Sequence, residues 1–462
     1  MRFLAVFPFL LLSSSLAAKC YVIDNVNVIS MVNDSVDFNR RVEVKNGLIT
    51  TITDSPTLAP PLPKECIIID GQNGYLIPGL IDAHVHQHRP EIEDSLTLFK
   101  LHVANGVLAI RNLADFPGQD AIESKRRSEL IEVIAPRYLT SGMHLSEDNL
   151  KTPDDAVKLV KLHIDKGYDY IKLRGNLEKS VYLRLLDEAY KANIPVIGHA
   201  QRHLPLNYSL RMHELSHVEE LVAIAMQNGI TPDPKHNNKV DEIVAKIKTS
   251  GIAIVSSLSI IAMIPHYTTD IKFQSLKKRS LTRFMAFEEY EWFTNKNNPS
   301  YQSAHFRTAF MQKYISDSHI LSRQFTKKLV EAGVPVVAGS DNLGFHIAGF
   351  SLHDELEEMV LAGLTPFEAL KAATVTSARH LGLQPIQGTI EEGKRAEMVL
   401  LEKNPLERIS HARNPSGVMT KGRWLGKREL NALLCSAAKD REAAWPAEVL
   451  QKISPLTFCE KR

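Results

Sequence analysis

Two short stretches place histidine where metal chemistry could use it. Residues 213–217 read His-Glu-Leu-Ser-His, the His-Glu-x-x-His spacing that on a helix sets two imidazoles on one zinc with a glutamate beside them as general base. Residues 84–86 read His-Val-His, and on a strand, where side chains alternate, His84 and His86 face the same way. With 18 histidines in 462 residues, a His-x-His pair arises by chance on the order of once in such a chain, so the motif needs context. The first motif requires residues 210–221 to be helical, with His213 and His217 as ligands, Glu214 as base and a third ligand downstream; Glu219 and Glu220 stand too near to supply it. The second requires partners at the ends of other strands.

Candidate partners are present. The middle of the chain alternates short apolar runs with longer amphipathic segments, the pattern of parallel β/α architecture. Eight runs qualify as strands: GLIDAHVH, GVLAIRN, RYLTSG, DYIKLR, IPVIGHA, LSHVEE, GIAIVSS and VPVVAGSD. They fit a (β/α)8 TIM barrel, an α/β fold whose active site lies at the C-terminal strand ends. Lys172, His199, His217 and Asp341 sit on or just after the fourth, fifth, sixth and eighth runs. Singly, each has a plain structural reading: a satisfied core histidine, an aspartate capping the next helix, a snorkelling lysine. Jointly they point to one site. A lysine at the end of an apolar strand is costly to bury unless neutralised or modified. His144, after the third run, and Arg174, two residues beyond Lys172, would face the same mouth and could bind a carbonyl or carboxylate.

The flanks read differently. YVIDNVNVIS and RRVEVKNGLITTI, the second with an Asn46-Gly47 hairpin turn, and later GTIEEGKRAEMVLLEKN and SGVMTKGRWLGKREL are short strands joined by glycine turns. Strands from both ends could pair, giving a β domain from residues 19–77 and 384–430, a barrel over 78–383 and a C-terminal extension over 431–462. The connection from Ser257 to Glu331 is far longer than an ordinary loop and carries Tyr267, Phe284, Tyr290, Trp292 and Phe293, as either a lid or helical elaboration. Residues 1–18 have the layout of a secretory signal peptide, which implies export to a periplasm or the extracellular space. The four cysteines then lie in an oxidising compartment, where Cys20–Cys66 and Cys435–Cys459 are the expected pairs. Net charge is +2 with no long run of either sign, so no nucleic-acid footprint is visible, and no later stretch is apolar enough to span a bilayer. Homo-oligomerisation stays open.

The set PGLIDAHVH, IKL, GHA, SHVE and AGSD, with the tail TPFEALKAATVTSARHLGL and GTIEEGKRAEMVLLEKNPL, resembles the amidohydrolase superfamily, in its imidazolonepropionase and prolidase-like dipeptidase branch, from about Tyr21 to Leu425. The resemblance implies a barrel with a β-sandwich domain built from both termini. It also implies two divalent ions: His84, His86 and Asp341 around one, His199 and His217 on the other, and Lys172 bridging both as a carbamate. Imidazole and carboxylate donors favour zinc, though manganese, cobalt or iron fill such sites. The implied activity is hydrolysis of an amide C–N bond in a small molecule (a dipeptide, prolyl peptide or N-acyl amino acid) by a hydroxide the ions share, with Asp341 as base and acid. The sequence departs from the branch in RGNLEKS after Lys172, in AQRH after His199, and at Glu397, where Asp is usual. Alternatives are a mononuclear deaminase, a cyclic-amide hydrolase or lactonase of the same superfamily, the His-Glu-x-x-His protease, and an inactive binding relative. Such relatives usually lose metal ligands, and every expected ligand residue is present here.

Overall fold

The computed structural model describes residues 20–55, 65–87, 89, 91–115, 118–295 and 304–459. The expected export segment, residues 1–18, lies outside the described residues.

The chain opens with β1 (Cys20–Val28), β2 (Asp37–Lys45), β3 (Leu48–Asp54), β4 (Cys66–Asp70) and β5 (Tyr75–Pro78). Asn46 and Gly47 both adopt positive φ, 54° and 76°, the two-residue turn whose twist matches the hairpin it closes. Eight barrel strands follow: β6 (Leu80–Val85), β7 (Val107–Asn112), β8 (Arg137–Thr140), β9 (Ile171–Leu173), β10 (Val196–Gly198), β11 (Glu214–Leu215), β12 (Ala253–Val255) and β13 (Val336–Val337). Then come β14 (Met398–Leu401), β15 (Gly417–Thr420) and β16 (Arg423–Gly426). Strands from the two ends share one eight-stranded sheet in the order β16-β15-β14-β5-β1-β2-β3, with β4 on β1. Its central joint is the antiparallel β5–β14 pair, Met398 opposite Pro78. The sheet is therefore completed only where the barrel between its two halves brings their ends together.

In the barrel, β6 to β8 form one parallel set and β9 to β13 another. Backbone hydrogen bonds bridge both seams: Leu145 N to Lys172 O at 2.7 Å and Arg174 N to Leu145 O at 2.8 Å on one side, Ala83 N to Ala338 O at 2.9 Å and Asp341 N to His84 O at 2.8 Å on the other. The second seam is tight. A Cβ on Gly339 would lie 2.7 Å from the Cβ of His84, so only glycine lets the eighth strand pass the first there. The interhelical turns are set locally. In Pro153–Lys166, for example, Thr152 and Asp155 make a capping box, Pro153 occupies the first turn, and Gly167 ends the helix in the left-handed region.

The sixth strand differs from expectation. It is Glu214–Leu215 rather than LSHVEE, because the chain turns after Ser216 and a helix starts at Glu219. The long seventh-to-eighth connection is helical, with Leu258–Thr268, Asp270–Lys278, Phe287–Thr294 and Ala309–Glu331 as its main elements. Tyr267, Phe284 and Phe293 are buried in one apolar cluster with Phe345, Trp445 and Ile453. That cluster joins the connection to the C-terminal extension, whose helix Lys427–Glu442 lies against Ile92–Ala104 and is fixed there by a buried Arg441–Asp94 ion pair. Cys20 pairs with Cys66, and Cys435 with Cys459. Among the described residues, no helix is long and apolar enough to cross a membrane.

The Cys435–Cys459 bridge closes a loop over a separation of 24 residues. Replacing both with serine removes a constraint worth about 3 kcal/mol. Thermal unfolding of the double variant should show the loss, with the C-terminal segment becoming the first site of limited proteolysis.

Candidate metal centre

The C-terminal ends of the barrel strands surround a cavity of about 690 Å3. His84, His86, His144, Lys172, Arg174, His199, His217 and Asp341 all line it, so the structure brings the eight residues nominated for the barrel site to one place. Closest together are His84, His86 and Asp341, whose donor atoms lie within 4.8 Å of one another. The Nε2 atoms of His84 and His86 are 3.2 Å apart. Asp341 Oδ1 is 3.0 Å from His86 Nε2 and 3.5 Å from His84 Nε2, while Oδ2 is 3.7 Å from His217 Nδ1. His217 also joins the two halves of the group: its ring centroid is 4.6 Å from that of His84 and 4.9 Å from that of His199. His144 and Arg174 stand on the cavity wall.

Each donor is aimed by a neighbour. His84 Nδ1 donates to the carbonyl of Ser216 at 3.2 Å, which turns its Nε2 lone pair toward Asp341 and His86. His199 Nδ1 donates to Glu220 at 2.7 Å. Glu220 is buried and held in turn by the Ala200 amide at 3.0 Å and by two hydrogen bonds from Arg202 at 2.9 and 2.8 Å. This is the carboxylate–imidazole arrangement that fixes a ligand's tautomer. Asp82 accepts from the amides of His84 and Ser340 at 3.2 and 2.9 Å and from the Ser340 hydroxyl at 2.6 Å. The Asn342 side chain accepts from His86 N at 2.9 Å and donates to His86 O at 3.0 Å. Asp341 sits at φ 50°, a conformation tolerated by aspartate and held here by the surrounding bonds.

The electrostatics suit a cation that is bound by neutral rings. Burial, reinforced by the Lys172 cation, holds His84 well below the ordinary imidazole range, and burial takes His217 down to about 3. Burial also lowers His199, although its bond to Glu220 opposes this. All three are therefore neutral at physiological pH, the form in which imidazole ligates a metal. Lys172 is 3% exposed, and its Nζ has no hydrogen-bond partner among the described residues. Burial depresses it to about 8. A wholly buried, unpartnered amine beside three imidazoles and a carboxylate fits a divalent-ion site in which that nitrogen is modified or neutral.

The His-Glu-x-x-His reading fails on backbone conformation. His217 belongs to the cavity, but Glu214 lies on a strand and not a helix, and His213 stacks on His380 with centroids 4.6 Å apart, away from the cavity lining. Glu214 instead is the centre of a buried network inside the barrel. Both its oxygens accept from Arg111, at 2.6 and 2.7 Å, and Oε2 also accepts from His380 at 2.7 Å. Arg111 in turn donates from Nε to Ala83 O at 2.8 Å, one residue before His84. Asp82, Arg111 and Asn342 went unnominated in the sequence, while Glu214 was assigned to the protease motif and Glu220 was weighed only as its third ligand. Only Asp82 carried a usable signal, because it continues the period-two face of His84 and His86.

A parallel eight-stranded barrel that gathers imidazole, carboxylate and buried lysine side chains at its strand C-termini forms a candidate metal centre. The chain belongs to the amidohydrolase family, whose model matches residues 75–425. It is 34% identical over 105 residues to ochratoxinase from Aspergillus niger, a match spanning 22% of this chain and only 21% of that relative's length. The crystal structure of A. niger ochratoxinase shares the fold at a TM-score of 0.63 and 18% identity, covering 88% of this chain and 96% of that one. Imidazolonepropionase from Thermoplasma acidophilum is 23% identical over 399 residues, 81% of this chain and 85% of the relative. A Xaa-Pro dipeptidase with methionine bound in its active site superposes at a TM-score of 0.64 and 17% identity, over 88% of this chain and 100% of that chain.

Burial alone would raise the Glu214 carboxyl, but the Arg111 charge and the His380 bond outweigh it and hold it at about 2 against an ordinary 4.5. A depressed acid contributes stability that is present above its unfolded value and lost as pH falls through its folded one. Glu214→Gln should therefore cost about 3–5 kcal/mol at neutral pH, since it leaves Arg111 buried without its anion. Its unfolding free energy should also fall less steeply than the wild type's between the two pH limits. Unchanged stability with activity abolished would restore Glu214 as a catalytic base.

Proposed function

We propose that this protein is an exported, metal-dependent amidohydrolase that cleaves the amide C–N bond of a dipeptide, prolyl peptide or N-acyl amino acid. The observation that carries the reading is the convergence of neutral imidazoles, the Asp341 carboxylate and the unpartnered Lys172 amine on one cavity. His84, His86 and Asp341 would hold one divalent ion and His199 and His217 a second, with carbamylated Lys172 between them. Zinc suits these donors. Bound there, the ions would acidify a water toward neutral pH and polarise the substrate carbonyl.

The rest of the chemistry falls to the chain. Asp341 lines the cavity beside His84 and His86, where it can take a proton from the attacking water and return it to the departing nitrogen as the C–N bond breaks. Glu220 and Ser216 keep the His199 and His84 rings from rotating. Arg174 supplies a guanidinium on the wall for the substrate carboxylate, and His144 a polar contact beside it. Trp292 and Phe293, which also line the cavity, give it an apolar surface for the side chain or acyl group. Similarity to a Xaa-Pro dipeptidase and to ochratoxinase supports the choice of small amides. Two disulfides support export, because such bonds persist in oxidising compartments.

Metal content tests the centre directly. Protein expressed with bicarbonate should carry about two ions per chain, and Lys172→Ala about one or fewer. One ion, unaffected by the substitution, would replace this reading with a mononuclear, deaminase-like site. Substrate recognition is tested separately. Arg174→Ala should raise KM about tenfold or more for amides with a free carboxylate and leave carboxamide-capped analogues nearly unchanged, as expected for loss of a charged hydrogen bond.

A further inference from the structure

Four Asn-x-Ser triplets occur in the sequence, at residues 33–35, 207–209, 298–300 and 414–416. Proline fills the middle of the last two, which disqualifies them as N-glycosylation acceptors. The structure separates the remaining pair.

Asn33, Asp34 and Ser35 lie in the bend that joins β1 to β2, and all three are exposed. Asn33 Oδ1 accepts from the Ser35 amide at 2.9 Å and from the Ser35 hydroxyl at 2.5 Å. The asparagine side chain thus closes a turn on its own backbone two residues on. With its oxygen engaged in this way the amide is held in one orientation, and Nδ2, the atom that would carry a sugar, makes no hydrogen bond among the described residues. Asn207 is exposed too, but its triplet is built into the fold. It forms the short helix Leu206–Ser209. Ser209 is buried, and its hydroxyl accepts from the Gln201 amide at 2.9 Å. Tyr208 O accepts from the Tyr182 hydroxyl at 2.9 Å, and the Tyr208 ring lies 5.0 Å from Lys179 Nζ.

We propose that Asn33 is an N-glycosylation site, modified in a secretory compartment that supplies a lipid-linked oligosaccharide. The Asn33 amide nitrogen would form a bond to the anomeric carbon of the donor as that carbon's bond to the lipid pyrophosphate oxygen breaks; the nitrogen gives up one proton and the lipid pyrophosphate leaves as an anion, with no change of oxidation state. The exposed turn accommodates the glycan without displacing any packed side chain, and Val32 beside it is an exposed aliphatic group that the first sugar would partly cover. Asn33 does not line the metal cavity, so the modification leaves that mouth open. Glycosylation requires export and so rests on that part of the proposed function, but not on the hydrolase chemistry.

Secretion of the full-length chain from a eukaryotic host tests the acceptor. Protein recovered from the medium should carry a glycan on the peptide that contains Asn33, and peptide N-glycosidase should leave aspartate at that position, which mass spectrometry reads directly. Asn33→Gln and Ser35→Ala should each abolish the modification, whereas Ser35→Thr, which keeps the hydroxyl, should retain it. None of the three should change metal content. A second chain, with residues 1–18 replaced by the host's own secretion signal, separates the acceptor from export: a glycan on Asn33 of that chain supports the acceptor even if the native leader fails to export. A secreted chain whose Asn33 is unmodified, or one glycosylated at Asn207 alone, overturns the inference and leaves the hydrolase reading untouched.

Discussion

The seam between the first and eighth barrel strands is held by Ala83 N to Ala338 O, Asp341 N to His84 O and the Asp82–Ser340 bonds, with Asn342 clamping both backbone polar groups of His86. This closure is the constraint on which the site depends, because His84 and His86 leave one side of it and Asp341 the other. If the seam slipped by one residue, every side chain on the first strand would change face, and both imidazoles would leave the cavity. Gly339 permits the close approach and the surrounding hydrogen bonds fix the register. The three donors within reach of one another are thus a consequence of barrel closure more than of any local motif.

Inside the barrel, a buried ion pair lies beside apolar side chains that include Ile81, Ala109, Ile197 and Val337. Arg111 and Glu214 have no exposed side-chain surface, and the guanidinium also lies 4.9 Å from the centroid of Tyr170. A buried pair of this kind adds little stability compared with apolar packing, but removing one partner is costly. Its geometry suggests why a pair is used: Arg111 reaches Ala83 O on the first strand, while Glu214 rides on the sixth, so the pair ties together the two strands that carry His84 and His217. Packing of aliphatic side chains would fill the same volume without fixing those two strands against each other.

Much of this was legible from sequence because a parallel barrel makes chemistry periodic. Strand-end residues recur at each β/α unit, so Lys172, His199, His217 and Asp341 could be assigned to one mouth from the apolar runs, whereas the disulfide pairs were an expectation that four cysteines cannot fix by themselves. The sixth strand was misplaced because its apolar signal is only two residues long, and His-Glu-x-x-His reads identically on strand and helix. What sequence could not show was the supporting layer. Glu220 orients His199 from the start of a helix, Asn342 reaches back to a residue 256 positions earlier, and Arg111 meets Glu214 across the barrel. These contacts have no characteristic spacing, since their partners are set by the closed three-dimensional sheet.

The C-terminal extension acts on the site from outside the barrel. The segment between the seventh and eighth strands walls the cavity with Trp292 and Phe293, yet its own anchor is elsewhere: Trp445 donates to Met285 O at 3.1 Å and Arg283 donates to Ser454 O at 2.8 Å. Phe293 is buried in the same cluster as Trp445, while Trp292 is half exposed. The wall is therefore pinned on one side by the C-terminal extension and on the barrel side by the bond from the Gly344 amide to Glu289 at 2.7 Å. An element held from both sides keeps a fixed position at the cavity. The extension that follows the β domain thus shapes the mouth of the barrel from outside, much as Arg111 and Glu214 shape it from beneath.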